Sequence, residues 1–473
     1  MKVLLINPPV DSIIKTELPE FVRSETGIFP PLGLMYIAAY LKKYNPGHEI
    51  YILDTIAENM DYQKIGRFIL DFSPDIVGIT AHTHNLADIC SLISIIKEIN
   101  PEIRIVLGGP HVNIFPQETI RMDGVDYVIK GEAEMTFSEL LQCLSNNGDL
   151  NKVEGIIFKR DDQIICTPSY RMANNLDAYP FPDRRALNSD RYRYALSKSS
   201  GKVTTMITSR GCPFHCAFCS TPKGSYRIRS AENIVDEIED CLRLNIHEIH
   251  FVDDSFGCNR DHLWSLCHEI KRRNLDVRWG IRARADTLKK DQIFQLKDSG
   301  CVRINIGVET SSDEGMKMLQ KGVTIDQVKN VFRWTKEANM ITSAYFMIGC
   351  PHEKTKHDVE RVIDFAIELD PDYAMFNILT LYSGTELYQK AVQEGIVKKD
   401  CWHQFVSSPS RDFQMPFWEE GLSRDELLAL LRKAYRRFYL RPKVIRRSIK
   451  NAGGFKKIIR NSRLGIKILM DKK

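Results

Sequence analysis

The chain has 473 residues, 43% of them hydrophobic and 27% charged, with a formal net charge of +5. That length exceeds one ordinary core and predicts two or three domains of globular composition, not a disordered or fibrous chain. No apolar run approaches the roughly 20 residues that cross a bilayer, and Met1–Asn7 meets Pro8-Pro9 too early for a signal peptide, so a cytoplasmic location is expected.

Residues 1–145 alternate short apolar runs (3–6, 50–53, 76–79, 103–107, 127–129) with helix-length stretches (31–43, 63–71, 86–99, 134–144). Nearly all-apolar runs predict a parallel sheet buried on both faces, a doubly wound, Rossmann-like α/β domain. Four of the five runs end in a loop of distinctive chemistry. These loops are Asn7-Pro8-Pro9, Thr80-Ala81-His82-Thr83-His84, Gly108-Gly109-Pro110-His111 and Gly131-Glu132. Such sheets bind ligands at the carboxyl ends of their strands. Residues 146–195 read as a connector with two weak strands (155–159, 163–167) and the proline-rich Tyr179-Pro180-Phe181-Pro182.

A second series fills 196–400, with strands expected at 203–208, 248–252, 278–281, 303–308, 341–348 and 373–379. Six strands alternating with helices predict a partial (β/α)6 barrel of the TIM type. Polar residues gather just after each strand, where a barrel places its site: Asp253-Asp254, Arg282 and Arg284, Glu309-Thr310, and Gly349-Cys350-Pro351. Residues 401–473 read as a helical C-terminal segment.

In a reducing compartment the chain's 12 cysteines are not a disulfide framework. Cys90, Cys143, Cys241 and Cys267 read as small buried side chains. Cys212, Cys216 and Cys219 are different, falling within eight residues after a predicted strand, in Cys212-Pro213-Phe214-His215-Cys216-Ala217-Phe218-Cys219. Structural zinc takes four ligands, usually in two separated pairs, and no second pair is present; Cys241 and Cys258 stand alone. Three thiolates on one loop fit three corners of a cubane whose fourth iron stays open.

This C-x3-C-x2-C loop, with an aromatic before its last cysteine, resembles that of the radical SAM superfamily. The resemblance implies a [4Fe–4S] cluster on Cys212, Cys216 and Cys219 that reductively cleaves S-adenosylmethionine. It also implies roles at other strand ends. Asp253 and Asp254 would hold the amino group of S-adenosylmethionine, Arg282 and Arg284 its carboxylate, and Glu309 its nucleoside or methionine portion. Gly349-Cys350-Pro351-His352-Glu353 is similar to the turn that lies along the adenine, and Ser383-Gly384-Thr385-Glu386 to the next small-residue turn.

A doubly wound domain ahead of such a barrel resembles the cobalamin-binding subfamily. The resemblance rests on Asn7-Pro8-Pro9, the helix at 31–41, Gly108-Gly109-Pro110-His111 and Gly131-Glu132, and it places cobalamin near Asn7, Pro8, Thr80, His82, Gly108, Gly109, Gly131 and Glu132. The first loop departs from the subfamily's D-x-H-x-x-G pattern, so no axial histidine is expected from it; His82, His84 and His111 sit at other strand ends. The resemblance implies methylation of an unactivated carbon by way of methylcobalamin. Ring-forming oxidation without methyl transfer is the alternative, as is a non-catalytic iron–sulfur or corrinoid-binding protein. A flavodoxin or ferredoxin is the expected electron donor.

From Arg432 to Lys473 the chain carries 16 Lys/Arg against one acidic residue, Asp471, a local charge of +15 that leaves −10 for the remainder. Apolar pairs recur there at helical spacing. The segment therefore reads either as a helix packed on the barrel or as a peripheral contact with an anionic membrane, which would favour a lipid-like substrate. Base-reading side chains and aromatics are sparse, so nucleic acid is not an expected partner.

Overall fold

The computed structural model describes residues 1–14, 27–161, 163–168, 172–194, 201–221 and 226–450, with side chains as far as Arg447. The chain divides into two compact units. One comprises Met1–Ile14, Ile28–Tyr192 and Asp400–Gln414; the other takes in Arg193–Lys399 and the chain from Met415 onward.

In the first unit, strands β1 (Lys2–Asn7), β2 (Glu49–Asp54), β3 (Ile76–Thr80), β4 (Arg104–Gly108) and β5 (Tyr127–Ile129) run parallel in the order β2-β1-β3-β4-β5. Alternate side chains serve opposite helical layers. Leu4, Ile6, Val77, Ile79, Ile105 and Leu107 pack into one, and Val3, Leu5, Ile76, Val106 and Ile129 into the other. Burial on both faces is why these strands read as unbroken apolar runs. The order reverses between β1 and β3, which makes the ends of those strands the switch point of the sheet. Within residues 146–195, β6 (Ile156–Arg160) and β7 (Gln163–Cys166) extend the same sheet antiparallel beyond β5. The helix Cys401–Ser407 also folds with this unit, where His403 Nδ1 lies 3.3 Å from Glu118 Oε1.

The second unit opens with β8 (Lys202–Met206) and a short antiparallel ribbon of β9 (Ser209–Arg210) and β10 (Arg227–Ile228). Strands β11 (Ile246–Phe251), β12 (Arg278–Arg284), β13 (Cys301–Glu309), β14 (Ile341–Ile348) and β15 (Tyr373–Ile378) follow. With β8 they form a six-stranded parallel sheet in the order β15-β14-β13-β12-β11-β8, an open half of a barrel. Phe251, Trp279, Ile281, Ile304, Ile306, Phe346 and Phe376 face the helices and form the core. The alternate positions, among them His250, Arg282, Arg284, Arg303, Asn305 and Tyr345, line the inner face.

An open sheet leaves an edge, and the helix Arg424–Tyr439 covers it. The Tyr435 hydroxyl accepts from Phe376 N (3.3 Å) and donates to Phe376 O (3.1 Å), while Tyr439 does the same at Ala374 (3.2 and 2.9 Å). Two phenols thus replace the backbone partners that β15 lacks. The following helix, Pro442–Lys450, is tied to the barrel through Asp370, whose carboxylate meets Lys443 (2.5 Å), Arg447 (3.0 Å) and Lys336 (3.1 Å). The remainder of the basic segment, 451–473, lies outside the described residues. Among the described residues no helix is long and apolar enough to cross a membrane.

Candidate functional site

After β8 the chain turns at Thr208-Ser209, and Asp253 at the end of β11 builds that turn. Its Oδ1 accepts Thr208 N (2.6 Å) and Ser209 N (2.7 Å), and its Oδ2 accepts the Thr208 hydroxyl (2.9 Å). Burial pushes the Asp253 carboxyl up to about 6, against the pull of those hydrogen bonds. Gly211 then adopts φ +84°, a conformation open to glycine without a Cβ penalty, and the cysteine loop begins. The loop is pinned at its middle, where Ala217 N donates to Leu319 O and Ala217 O accepts from Leu387 N, both at 3.0 Å. Cys219 N donates to Cys216 O at 3.1 Å.

Cys212, Cys216 and Cys219 are all half-buried. Burial raises the Cys212 thiol, and the other two cysteines add to the effect. Cys258, solitary in sequence, also comes within electrostatic reach of Cys212. Among the described residues no three His, Cys, Asp or Glu side chains stand in a closed metal-ligand arrangement. What gathers the three thiols is the loop, which offers the soft donor set of an iron–sulfur cluster. Two cations lie beside them. Arg284 Nη1 donates to Cys216 Sγ at 3.3 Å, and Lys321 lies over the Phe218 ring, 5.9 Å from its centroid.

Glu309 closes β13 in the left-handed region, at φ +69°, beside a register shift with β14. Its Oε1 accepts from Lys321 Nζ at 2.7 Å in a buried ion pair. Gly307 makes room for that pair: a Cβ there would lie 2.4 Å from Glu309 Oε1 and 3.0 Å from Lys321 Nζ. At the end of β14, Gly349 (φ +74°) and Cys350 donate their N–H groups to Glu353 Oε2 at 2.6 and 3.0 Å, with Pro351 buried inside the turn. Asp254 and Arg282 remain exposed at the same end of the sheet. A cavity of about 310 Å³ opens here, lined by Phe218, Glu309, Tyr345, Asn377, Tyr382 and Phe417. Aromatic rings and polar side chains share this lining, as in sites that orient a small ligand.

Spacing and resemblance did not find Lys321, Tyr345, Asn377 or Tyr382. Tyr345 and Asn377 are inward positions by the two-residue alternation of β14 and β15, a signal the sequence does carry. Lys321 sits in a loop between Gln320 and Gly322, both at positive φ, and nothing local announces it.

In the first unit, the strand-end loops converge on the switch point. Asn7 Nδ2 donates to Asp54 Oδ1 (2.8 Å), and Ser12 N is held by both oxygens of buried Asp88 (2.8 and 2.9 Å). Pro8 is buried between these anchors. Gly109, after Gly108, takes φ +100°, where a Cβ would lie 2.9 Å from Ala81 O and 3.0 Å from the Thr80 hydroxyl. Gly131 (φ +75°) donates to Asn113 Oδ1 at 2.8 Å, and Glu132 accepts the Tyr179 hydroxyl at 3.3 Å. At Gly109 the missing Cβ is what lets the loop after β4 approach Ala81 and Thr80 this closely. The His82 and His84 rings stack 5.1 Å apart. Burial lowers the pKa of all three histidines, His84 and His111 to about 4. His111 is fully buried, with Nδ1 on the Thr83 hydroxyl (3.0 Å) and, among the described residues, no partner on Nε2, while His82 and His84 are partly exposed.

Comparison with known proteins agrees with both halves of this geometry. Residues 21–141 match the B12 binding domain family and residues 206–366 the Radical SAM superfamily. The "uncharacterized methyltransferase PH0819" of Pyrococcus horikoshii is 35% identical over 461 residues, 96% of either chain. An anaerobic magnesium-protoporphyrin IX monomethyl ester cyclase of Rubrivivax gelatinosus is 29% identical over 88% of this chain and 74% of its own. Among solved structures, the radical S-adenosylmethionine methyltransferase TsrM of Kitasatospora setae, with cobalamin and a [4Fe–4S] cluster bound, superposes with a TM-score of 0.74 over 99% of each chain at 18% identity, a likeness of fold. On the first of these relatives, matched over nearly its whole length, and on the two domain families it contains, the chain belongs to the radical SAM enzymes that carry a B12-binding domain.

Proposed function

We propose that this enzyme uses Cys212, Cys216 and Cys219 to hold the [4Fe–4S] cluster and methylates an unactivated carbon of a small molecule bound on the inner face of the barrel. The observation that carries this reading is the juxtaposition of three thiols on one pinned loop with a cavity of about 310 Å³ that shares Phe218 with that loop. When bound, the cluster supplies one electron to S-adenosylmethionine and cobalamin carries the methyl group. The protein's share is position and exclusion of water. Phe218, Tyr345, Tyr382 and Phe417 line the cavity, while Glu309, fixed by Lys321, presents a carboxylate to it. Asp254, which accepts the Gly211 amide, and Arg282 beside it are exposed, and they are proposed to meet the amino and carboxylate groups of S-adenosylmethionine. Asp253 instead shapes the turn before the loop. Asn7, Thr80, Gly108, Gly109, Gly131 and Glu132, with His82, form the ledge proposed for cobalamin.

The inner face favours a polar substrate. Arg303 lies over Tyr194 and Tyr373 (5.2 and 5.3 Å to the ring centroids), and among the described residues the buried Asn305 Oδ1 and Ser343 Oγ have no hydrogen-bond partner. Buried polar atoms without partners are costly unless a ligand or water meets them. The ion pairs of Lys443 and Arg447 with Asp370 favour barrel packing over membrane contact for the described part of the basic segment. A flavodoxin or ferredoxin is the proposed reductant. The cyclase relative keeps oxidation without methyl transfer as the second reading.

The test is anaerobic. The protein is reconstituted with iron, sulfide and hydroxocobalamin, desalted, and given S-adenosylmethionine and a strong reductant. Retained corrinoid together with 5′-deoxyadenosine is expected, and Cys216→Ala should abolish the nucleoside. Absence of both signals in the wild type would overturn the reading, whereas nucleoside without corrinoid would remove methylcobalamin from it.

A further inference from the structure

The Arg284 side chain is only 7% exposed as a residue, yet it ends at the cysteine loop. Its Nε and Nη2 donate to the two oxygens of Asp286 (3.0 and 2.9 Å), Nη2 also donates to the Lys321 carbonyl, and Nη1 donates to Cys216 Sγ at 3.3 Å. The guanidinium carbon lies 3.6 Å from the Phe214 ring centroid. Four of the five N–H groups therefore have partners. The group is fixed in place and faces a sulfur, which leaves it little capacity for the carboxylate of S-adenosylmethionine. Burial works against its charge, but Asp286 and the Cys216 sulfur outweigh burial, so its pKa stays above the ordinary guanidinium value. Lys321 also acts electrostatically on Cys216.

We infer that Arg284, backed by Lys321, sets the reduction potential of the iron–sulfur cluster through its N–H···S bond to Cys216 and its fixed positive charge. Reduction adds one negative charge to the cluster. A cation and a hydrogen-bond donor at a ligand sulfur stabilise that charge and raise the potential. The inference rests on the cluster occupying Cys212, Cys216 and Cys219. Arg284 acts through Cys216, as a positioning residue.

The experiment uses full-length wild type, Arg284→Gln, Arg284→Lys and Lys321→Gln, each reconstituted anaerobically and assayed for iron and sulfide. The cluster is then titrated redox-potentiometrically, with electron paramagnetic resonance of the reduced state as the readout. Arg284→Gln should lower the reduced-to-oxidised ratio at a fixed potential about tenfold, equivalent to about 59 mV for a one-electron couple. Lys321→Gln should shift it the same way by less, and Arg284→Lys should stay between Gln and wild type. Equal potentials in wild type and Arg284→Gln at equal iron content would overturn the inference. Should Arg284→Gln not assemble, an unchanged potential in Lys321→Gln overturns it alone. A wild type that binds no cluster would defeat the site reading itself, and the inference with it.

Discussion

Asp253 accepts both the amide and the hydroxyl of Thr208, so a carboxylate at the end of β11 fixes the turn from which the cysteine loop departs. Its pKa of about 6 stands above the usual carboxylate value near 3.9. A raised folded-state pKa means that the stabilisation is complete below the unfolded value and is lost as pH rises through about 6. Asp253→Asn keeps one oxygen for the Thr208 and Ser209 amides and removes the buried charge. It should melt at or above the wild-type temperature at pH 7.5 and show a flatter slope between pH 5 and 7, with S-adenosylmethionine cleavage retained. Asp253→Ala strands two amides and should lose about 2–4 kcal/mol by denaturant unfolding. A tenfold loss of S-adenosylmethionine affinity in Asp253→Asn would instead make Asp253 a ligand contact.

Gly307→Ala tests the space beside the Glu309–Lys321 pair. The added Cβ would lie 2.4 Å from Glu309 Oε1, so the carboxylate must move. A destabilisation of about 1–3 kcal/mol is expected, as for other overpacked sites. Removing one partner of the buried pair should cost more. Glu309→Gln and Lys321→Met should each lose roughly 3 kcal/mol, and the double variant less than their sum, because neither charge is then left alone. Additive losses in urea titrations would show that the two side chains are not coupled.

The strands of both sheets are legible because burial on both faces makes them apolar from end to end, and polar residues mark where each one stops. The cysteine loop is legible because its spacing is chemically narrow. Two things are not. Which unit the helix Cys401–Ser407 joins depends on long-range contacts such as those of His403 with Phe115 and Glu118, and nothing local names these partners. Nor does sequence separate Asp253 from Asp254, or Arg282 from Arg284. In each pair one residue is engaged by the protein, Asp253 by two backbone amides and Arg284 by Asp286 and Cys216. Neighbouring residues of one type diverge in role according to the loop each of them meets.

Glu353 gives a second pH signature. It is buried, and although the Gly349 and Cys350 amides favour its charge, desolvation pushes its pKa up to about 7. By the same sign rule its stabilisation is present below the unfolded value near 4.3 and lost as pH rises through about 7. The full effect above pH 8 is roughly 4 kcal/mol. Glu353→Gln keeps an oxygen for the two amides and should therefore gain on the wild type between pH 6 and 8. Parallel melting curves of the two proteins at those two pH values would refute this assignment.

Asp370 is the anchor of the basic helix, and it can be tested without disturbing the backbone. The residue caps the helix Lys356–Leu369 at φ +47°, a conformation that asparagine also tolerates. Asp370→Asn therefore removes the charge that Lys336, Lys443 and Arg447 share and leaves the turn intact. Partly exposed pairs are weak individually, so global stability should fall by only about 1 kcal/mol. The local effect should be larger. Amide exchange over 442–450 should accelerate, while the helix Arg424–Tyr439, held by Tyr435 and Tyr439 on β15, should keep its protection. Raising salt on the wild type should move exchange in the same direction, since screening weakens the same contacts. Unchanged exchange in Asp370→Asn would mean that buried Val444 and the apolar side of the helix hold it against the barrel, and that its positive charge remains available to an anionic partner.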